Sequence, residues 1–329
     1  MLEFVDCDHA QELDAYVRNH SHCHFMQSSL WGRVKTDWSW QGLIYRDALG
    51  VIRGSMALLG HKLRYGKSCL LYAPRGPIYD DEVAFLALLH EAESMGRKQS
   101  AYLLRIDPMV AEGTEITGFR RNEATDYSLF SPRMCYVLDL QGLTEDTLLE
   151  GYHSSTRRKL RLAQRNGIVV ERGSEADLPS FCEMMAETAE RRGFAPRSLL
   201  YFRSLLQGLG SHARLYLAKM DGCTLAASVA VFYGNRAWFL YGCSREEGLD
   251  AHPNELLQWQ MQTDALSMGC RYFDFRGVEG YPDASNPKLG LHQFKQGFGA
   301  RFVAYGGQYD KTLRPFTAAC CRVWAALHP

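Results

Sequence analysis

Apolar positions along the chain switch repeatedly between the alternation of strands and the three-to-four spacing of amphipathic helices. Residues 2–5 alternate as a short strand, and a helix is expected over about His9–Asn19 with Asp8 as its N-cap. Phe25–Lys35 places apolar and aromatic residues at helical spacing and ends on a lysine. Strands are expected at Trp40–Arg46, Val51–His61 and Lys67–Tyr72, a helix at Asp81–Gly96, and a strand at Ala101–Asp107 stopped by Pro108. Beyond a loop, a strand is expected at Met134–Leu140, a helix capped by Thr144, and a basic helix at Ser155–Asn166 ended by Gly167. The pattern continues with a strand at Ile168–Glu171 and helices at Glu175–Arg192 and Ser198–Gly208. Strands at Ala213–Met220, Thr224–Tyr233 and Arg236–Ser244 follow, then a helix at Pro253–Gly269 and a strand at Tyr272–Phe275. Arg301–Tyr305 alternates as a last strand, broken by Gly306-Gly307, and residues 315–329 read as a fairly apolar helix.

The two halves echo each other in order. Each runs strand, strand, helix, strand: the first passes Tyr72-Ala-Pro-Arg-Gly and Ala92-Glu-Ser-Met-Gly96 to Arg105-Ile-Asp107, the second Tyr241-Gly-Cys-Ser-Arg245 and Ala265-Leu-Ser-Met-Gly269 to Asp274-Phe-Arg276. This order predicts a duplicated α/β unit with a seam near residues 141–155.

Composition narrows the function class. With 329 residues, 46% hydrophobic and 22% charged, the chain can bury two cores. Lys+Arg and Asp+Glu both total 37, so any phosphate-bearing partner must be met by a local patch. The ten cysteines are scattered without a Cys-x-x-Cys pair, which suits reduced core residues. The N-terminus lacks the regions of a signal peptide and no apolar run reaches membrane-span length, so a cytoplasmic protein without stable membrane insertion is expected.

The chain holds no His-Glu-x-x-His, phosphate-binding glycine loop or Gly-x-Ser-x-Gly elbow, and the trio His20, His22, His24 reads as a polar loop or strand edge rather than a metal site. Cations and tyrosines near loops and strand ends remain. Leu291-His-Gln-Phe-Lys-Gln-Gly-Phe-Gly299 sets Lys295 between aromatics and before two glycines, at what reads as a strand edge. Such a lysine suits an anion or a developing oxyanion, although the spacing equally fits a solvated cation beside core aromatics. Arg197 and Tyr201 are four apart and could grip a phosphate or carboxylate, or pair with a surface acid and pack in the core. The densest positive run, Thr156-Arg-Arg-Lys-Leu-Arg-Leu-Ala-Gln-Arg165, would turn Leu160 and Ala163 inward; its cations make a solvated face or meet an RNA backbone.

Taken together, Trp31 with Lys35, Tyr102-Leu-Leu-Arg-Ile-Asp-Pro108, the basic run to Gly167-Ile-Val, Arg192-Gly-Phe with Arg197 and Tyr201, Leu240-Tyr-Gly-Cys-Ser244, Tyr272-Phe-Asp-Phe-Arg-Gly277, Leu291 to Gly299 and Tyr305-Gly-Gly-Gln-Tyr-Asp310 resemble the Fem family of peptidoglycan-bridge aminoacyltransferases in order and spacing. The resemblance covers nearly the whole chain. It implies an α/β (α+β) fold of two tandem acetyltransferase-like domains with mixed sheets, the C-terminal segment returning to the first. There is no room for the coiled-coil arm of many relatives. The domains would be 1–141 with 304–329, binding the precursor, and 142–303, receiving the aminoacyl-tRNA end. The implied reaction moves an amino acid from aminoacyl-tRNA to an amino group of the stem peptide on UDP-MurNAc-pentapeptide or lipid II, with no cofactor and at most peripheral membrane contact. By position, Lys35 and Arg197 would bind the precursor's phosphates; Tyr102, Tyr201 and Tyr241 would line its cleft, with Asp107 near the acceptor amine as a catalytic residue that orients it and assists loss of its proton, a task for which the substrate's own groups are an equal candidate. Phe294 and Lys295 would receive the acylated end, Lys295 as the catalytic charge and Gly297 and Gly299 as thin backbone at the entry. The rival expectations are an acyl-CoA-dependent N-acyltransferase on the same fold and a non-catalytic cell-wall-precursor binding protein.

Overall fold

The computed structural model describes residues 1–63, 68–123 and 132–327, which form two compact units. Unit 1 comprises Met1–Arg133 and Ala304–Pro329, and unit 2 comprises Met134–Val303. Unit 1 begins β1 (Leu2–Val5), α1 (Gln11–Asn19), α2 (Ser29–Val34), β2 (Ser39–Arg46), β3 (Ile52–Lys62), β4 (Cys69–Ala73), β5 (Ile78–Tyr79), α3 (Glu82–Lys98), β6 (Ala101–Ile106) and β7 (Arg120–Asn122). Unit 2 holds β8 (Met134–Asp139), α4 (Glu145–Glu150), α5 (Ser154–Arg165), β9 (Val169–Arg172), α6 (Leu178–Arg192), α7 (Leu199–Leu209), β10 (Ala213–Met220), β11 (Cys223–Tyr233), β12 (Arg236–Ser244), α8 (Pro253–Ser267), β13 (Tyr272–Gly277), α9 (Leu289–Gln296) and β14 (Arg301–Ala304). The chain then returns to unit 1 with β15 (Gln308–Thr312) and α10 (Pro315–Leu327).

The sheet orders β1-β2-β3-β4-β6-β15-β7 and β9-β10-β11-β12-β13-β8-β14 are the same plan twice. In each, the fourth and fifth strands run parallel, β4 with β6 and β12 with β13, joined by a crossover helix, α3 or α8. Two helices connect the first strand to the second, α1 and α2 in unit 1 and α6 and α7 in unit 2. The sixth strand differs in origin: β15 comes from the C-terminal return, whereas β8 precedes the rest of unit 2. Each sheet buries an apolar face of its own. Leu71, Ala73, Leu88, Ala92, Leu104 and Ile106 anchor unit 1, and Leu160, Phe232, Leu257, Met261, Phe273 and Phe298 anchor unit 2.

Local chemistry explains most boundaries. Asp81 caps α3 by accepting from the Ala84 N–H, Thr144 and Thr147 form a capping box, Ser198 caps α7, and Gly193 closes α6 in the left-handed region at φ 73°. Three expectations shift. The N-cap of α1 is Ala10, and the local amides, those of Asp8 and His9, are received by the exposed carboxylate of Asp6 rather than by Asp8. The seam falls at residues 133–134 instead of 141–142, since β8 pairs with β13 and so joins the second sheet. β7 arises within what reads as a loop, because its pairing partner β15 is far away in sequence. Lys67 and residues 328–329 of the expected elements lie outside the described residues.

The return of the chain is secured by charge. Arg105 Nε and Nη2 donate to Asp310 Oδ1 and Oδ2, both at 2.6 Å, tying β6 to β15 across 205 residues of sequence. Because Arg105 is 8% exposed, removing its carboxylate leaves a buried charge uncompensated. Asp310→Ala should therefore lower the stability of unit 1 by about 3 kcal/mol in urea denaturation. A loss well below 1 kcal/mol would show that backbone pairing alone holds the return.

Candidate functional site

In unit 2 the site grows from the divergence of two parallel strands. β12 and β13 pair from Arg236↔Tyr272 to Trp238↔Asp274 and then part, though β12 runs on to Ser244 and β13 to Gly277. Backbone groups on the parted ends need other partners. Thr188 of α6 receives the Ser244 N–H and donates to its carbonyl, and Arg191 donates to the same carbonyl. On the β13 side, Lys295 Nζ donates to the Arg276 carbonyl at 3.0 Å and the Gly277 carbonyl at 2.6 Å. Arg276 itself sits at φ 62°, held by its N–H to Asp274 Oδ1 at 2.7 Å. A non-glycine residue in that region stores ~1–3 kcal/mol of strain, and such strain gathers at functional sites.

Lys295 lies in the last turn of α9, not at a strand edge; the apolar face of this short helix carries it inward, and it is 3% exposed. Burial, opposed by Cys135 and Asp274 and reinforced by Arg276, lowers its ammonium pKa to about 7. An ammonium has three N–H donors, and the two carbonyls occupy two of them. Phe294 is half-buried with its ring 5.2 Å from that of Phe298, on the flank of the core. His292, wholly buried, meets the Tyr136 hydroxyl at 3.1 Å, Asn286 Nδ2 at 3.2 Å and the Glu279 carbonyl at 3.1 Å, fastening the preceding loop to α9.

Next to this corner stand the other expected residues of unit 2. The Tyr201 and Tyr241 hydroxyls are 2.9 Å apart, and the Arg197 guanidinium lies 5.6 Å from the Tyr201 ring centroid. Arg197 precedes the Ser198 cap, so it reaches Tyr201 from the loop rather than along a helix face. Burial and the Tyr241 hydroxyl hold the Tyr201 phenol well above its ordinary range, while Arg197 and Arg276 act against that rise. The structure thus gathers Arg197, Tyr201, Tyr241, Arg276 and Lys295 around one strand end. Gly297 and Gly299 serve another purpose than a thin entry. A Cβ on Gly297 would meet Thr156 Oγ1 at 2.4 Å, and Gly299, at φ 77°, lets the Gly151 carbonyl approach to 3.0 Å of its Cβ position. Gly297 seats the first turn of α5, and Gly299 the C-terminal cap of α4.

Unit 1 has its own cluster at the ends of β4 and β6. Asp107 is fully buried, with Arg75 Nη1 at 4.0 Å and the Tyr72 hydroxyl donating at 3.4 Å. Arg75, at φ 57°, also donates to the Pro132 carbonyl and lies 5.0 Å from the Tyr305 ring. Asp107 therefore acts on its surroundings through Tyr72 and Arg75 and does not itself line an open surface. Gln27 straps β3 to the end of β4, where that antiparallel pair has parted: its amide donates to the Ala57 and Pro74 carbonyls and accepts from the Ala57 N–H. Lys35 sits over the Trp31 ring at 5.2 Å, at the end of α2. Tyr102 is an extra residue in β6, since Cys69 faces Ala101 and Leu70 already faces Leu103. That slip leaves Tyr102 beside Cys321 of α10, with burial first and Cys321 second raising its phenol to about 12. It is not among the residues touching Asp107. Gln27, Arg75 and His292 are not among the residues the sequence singles out; Arg75 lies within the repeated Tyr72-Ala-Pro-Arg-Gly segment, whereas nothing in the pattern marks Gln27.

Gly297→Ala should displace α5 and cost about 1–3 kcal/mol in thermal or urea unfolding, with at least half recovered by adding Thr156→Ala. An additive pair would mean that the two residues do not touch.

Comparison with known proteins extends this picture. Lipid II:glycine glycyltransferases of Staphylococcus aureus, from strains bovine RF122 / ET3-1 and USA300, are each 26% identical to the chain over a gapped alignment 389 residues long, covering 92% of it and 91% of the relative. A crystal structure of FemX superposes with a TM-score of 0.86 at 24% identity over 97% of this chain and 99% of that one. A tandem GNAT protein from the clavulanic acid biosynthesis pathway shares the fold at a TM-score of 0.56 and 12% identity, covering 95% and 99%. The duplicated sheets are therefore two acetyltransferase-like units in tandem, and among the described residues the longest helix, α3, spans 17 residues and forms no arm. A family model matches residues 9–125, 109–223 and 220–324, and with so much of its length accounted for, the chain belongs to the FemAB family.

Proposed function

We propose that the protein is a transferase that moves an amino acid from aminoacyl-tRNA onto an amino group of a peptidoglycan precursor's stem peptide. The observation that carries this reading is Lys295, a buried ammonium with two N–H groups fixed on carbonyls at a strained strand end and a third to offer. Aminolysis of an activated ester requires orientation and a stabilised oxyanion, not an enzyme nucleophile. The acceptor amine forms the new C–N bond, the ester C–O bond to ribose breaks, and the amine's proton ends on the ribose oxygen. Lys295 stabilises the tetrahedral oxyanion or the departing oxygen. Phe294 borders the acyl end, and Arg197, Tyr201 and Tyr241 hold the precursor in unit 2. Lys35 and Tyr102 belong to precursor binding in unit 1, and Asp107 positions Tyr72 and Arg75 there. The relatives named for lipid II and glycine favour a lipid-linked acceptor and a small donor residue.

The acyl-CoA reading needs a free, anion-receptive helix N-terminus after the fourth strand. In unit 1 the Asp81 carboxylate already takes the Ala84 N–H, with Asp80 and Glu82 beside it. In unit 2, Glu246, Glu247 and Asp250 precede α8, which opens on Pro253 and lacks that N–H. Negative charge at both places repels a pyrophosphate.

Lys295→Met should lower turnover with Gly-, Ala- or Ser-tRNA by ~10²–10³-fold, read by mass gain of the precursor. Near-normal turnover would remove Lys295 from the mechanism. The pH profile is a second check. A cationic Lys295 titrating near about 7 loses its proton as pH rises, while an acceptor amine near ~10.4 becomes neutral in the same direction. The product of the two fractions climbs with unit slope to about pH 7 and then levels, so log kcat/KM should do the same. In Lys295→Arg the climb should continue to at least ~8.5, because a guanidinium stays charged.

A further inference from the structure

The basic helix α5 is not part of the cluster around Lys295, yet it is fixed to it. The Gly297 carbonyl accepts from the His153 N–H at 2.8 Å, just ahead of the first turn of α5, and Thr156 packs on Gly297. Its five cations divide into two sets. Arg157 donates to the Glu150 and Tyr152 carbonyls, and Lys159 lies 3.3 Å from Glu255 of α8. Those two are structural. Arg158, Arg161 and Arg165 are exposed and, among the described residues, have no ion pair or side-chain hydrogen bond. Spaced three and four apart, they make one stripe along the helix, and α5 itself contains no acidic residue. The 12-residue helix is about 18 Å long, enough to follow several phosphates of one strand at ~3.4 Å of axis each.

We infer that the Arg158–Arg161–Arg165 stripe is the docking rail for the acceptor-arm phosphates of the donor tRNA, running outward from the point where the acylated end meets Phe294 and Lys295. This inference rests on the aminoacyl-tRNA reading above. In a chain with 37 cations and 37 acidic residues, a helix face of unopposed guanidiniums is a local exception, and guanidiniums suit phosphate geometry. A membrane surface fits less well. A helix lying in a bilayer interface inserts an apolar face, whereas the apolar face of α5 (Thr156, Leu160, Ala163) is already buried in its own unit. Phosphate contacts position without reading sequence, so the rail serves tRNAs irrespective of the amino acid they carry.

The test compares two donors with one acceptor, using wild-type protein and Arg158→Glu/Arg161→Glu/Arg165→Glu. With full-length Gly-tRNA the triple variant should raise KM on the order of tenfold or more at 0.1 M salt, with kcat kept, and flatten the plot of log affinity against log salt by about 2–3. With a donor cut to the glycylated terminal trinucleotide, both proteins should behave alike, which also shows that the variant is folded. Arg158→Lys/Arg161→Lys/Arg165→Lys should retain tight tRNA binding. An unchanged KM and salt slope with tRNA overturns the rail while leaving the aminoacyl-tRNA reading intact. A defect that appears only with lipid-linked acceptor in anionic phospholipid vesicles assigns the stripe to a membrane and overturns it as well. Absence of transfer from any aminoacyl-tRNA by the wild type removes the underlying reading and the rail together.

Discussion

Neighbouring strands that part leave backbone donors and acceptors which must find partners, and this requirement recurs in both units. A buried unsatisfied peptide group costs ~1–3 kcal/mol, so a splayed strand pair survives only where side chains step in. Gln27 does so where antiparallel β3 and β4 part in unit 1, serving Ala57 and Pro74, and Thr188 with Arg191 does so for Ser244 of the parallel pair in unit 2. Lys295 does it for Arg276 and Gly277 and differs in being charged. The group that completes the backbone is also the group placed to meet a developing anion. Chemistry and architecture therefore share one side chain, and its burial keeps it near the point of losing its proton.

Much of this was legible from periodicity. Nearly every long strand and helix appears within a residue or two of its expectation, because each carries an apolar stripe, a cap or a terminating glycine of its own. Short elements that exist only through distant partners escaped: β7 is three residues long and pairs with β15. The seam was placed a strand too late for the same reason, since nothing local in Met134–Asp139 says which sheet it will join.

Side-chain roles were legible unevenly. Arg197, Tyr201, Tyr241 and Lys295 were expected at a site and do converge, although the setting of Lys295 was misjudged. Glycines suggested a strand edge, whereas they accommodate Thr156 of α5 and the Gly151 carbonyl at the end of α4. Asp107, expected beside an amine, is buried with Tyr72 and Arg75, because a carboxylate at the buried end of a central strand is stable only when a cation accompanies it. Gln27 had no sequence signal, since a buried amide is recognised by what surrounds it and not by what precedes it.

The origin of the sixth strand has a consequence for how the chain is made. All strands of the second sheet lie between Met134 and Ala304, so unit 2 needs nothing from the C-terminal return in order to close its sheet. Unit 1, synthesised first, keeps a gap between β6 and β7 until β15 emerges. The usual N-terminal-first order of domain folding is thereby inverted. During that interval β6 presents an open edge carrying Arg105 without Asp310, and a bare strand edge invites pairing with other chains. The nascent protein is exposed longest in the half that was born first, and the arrival of β15 decides when that exposure ends.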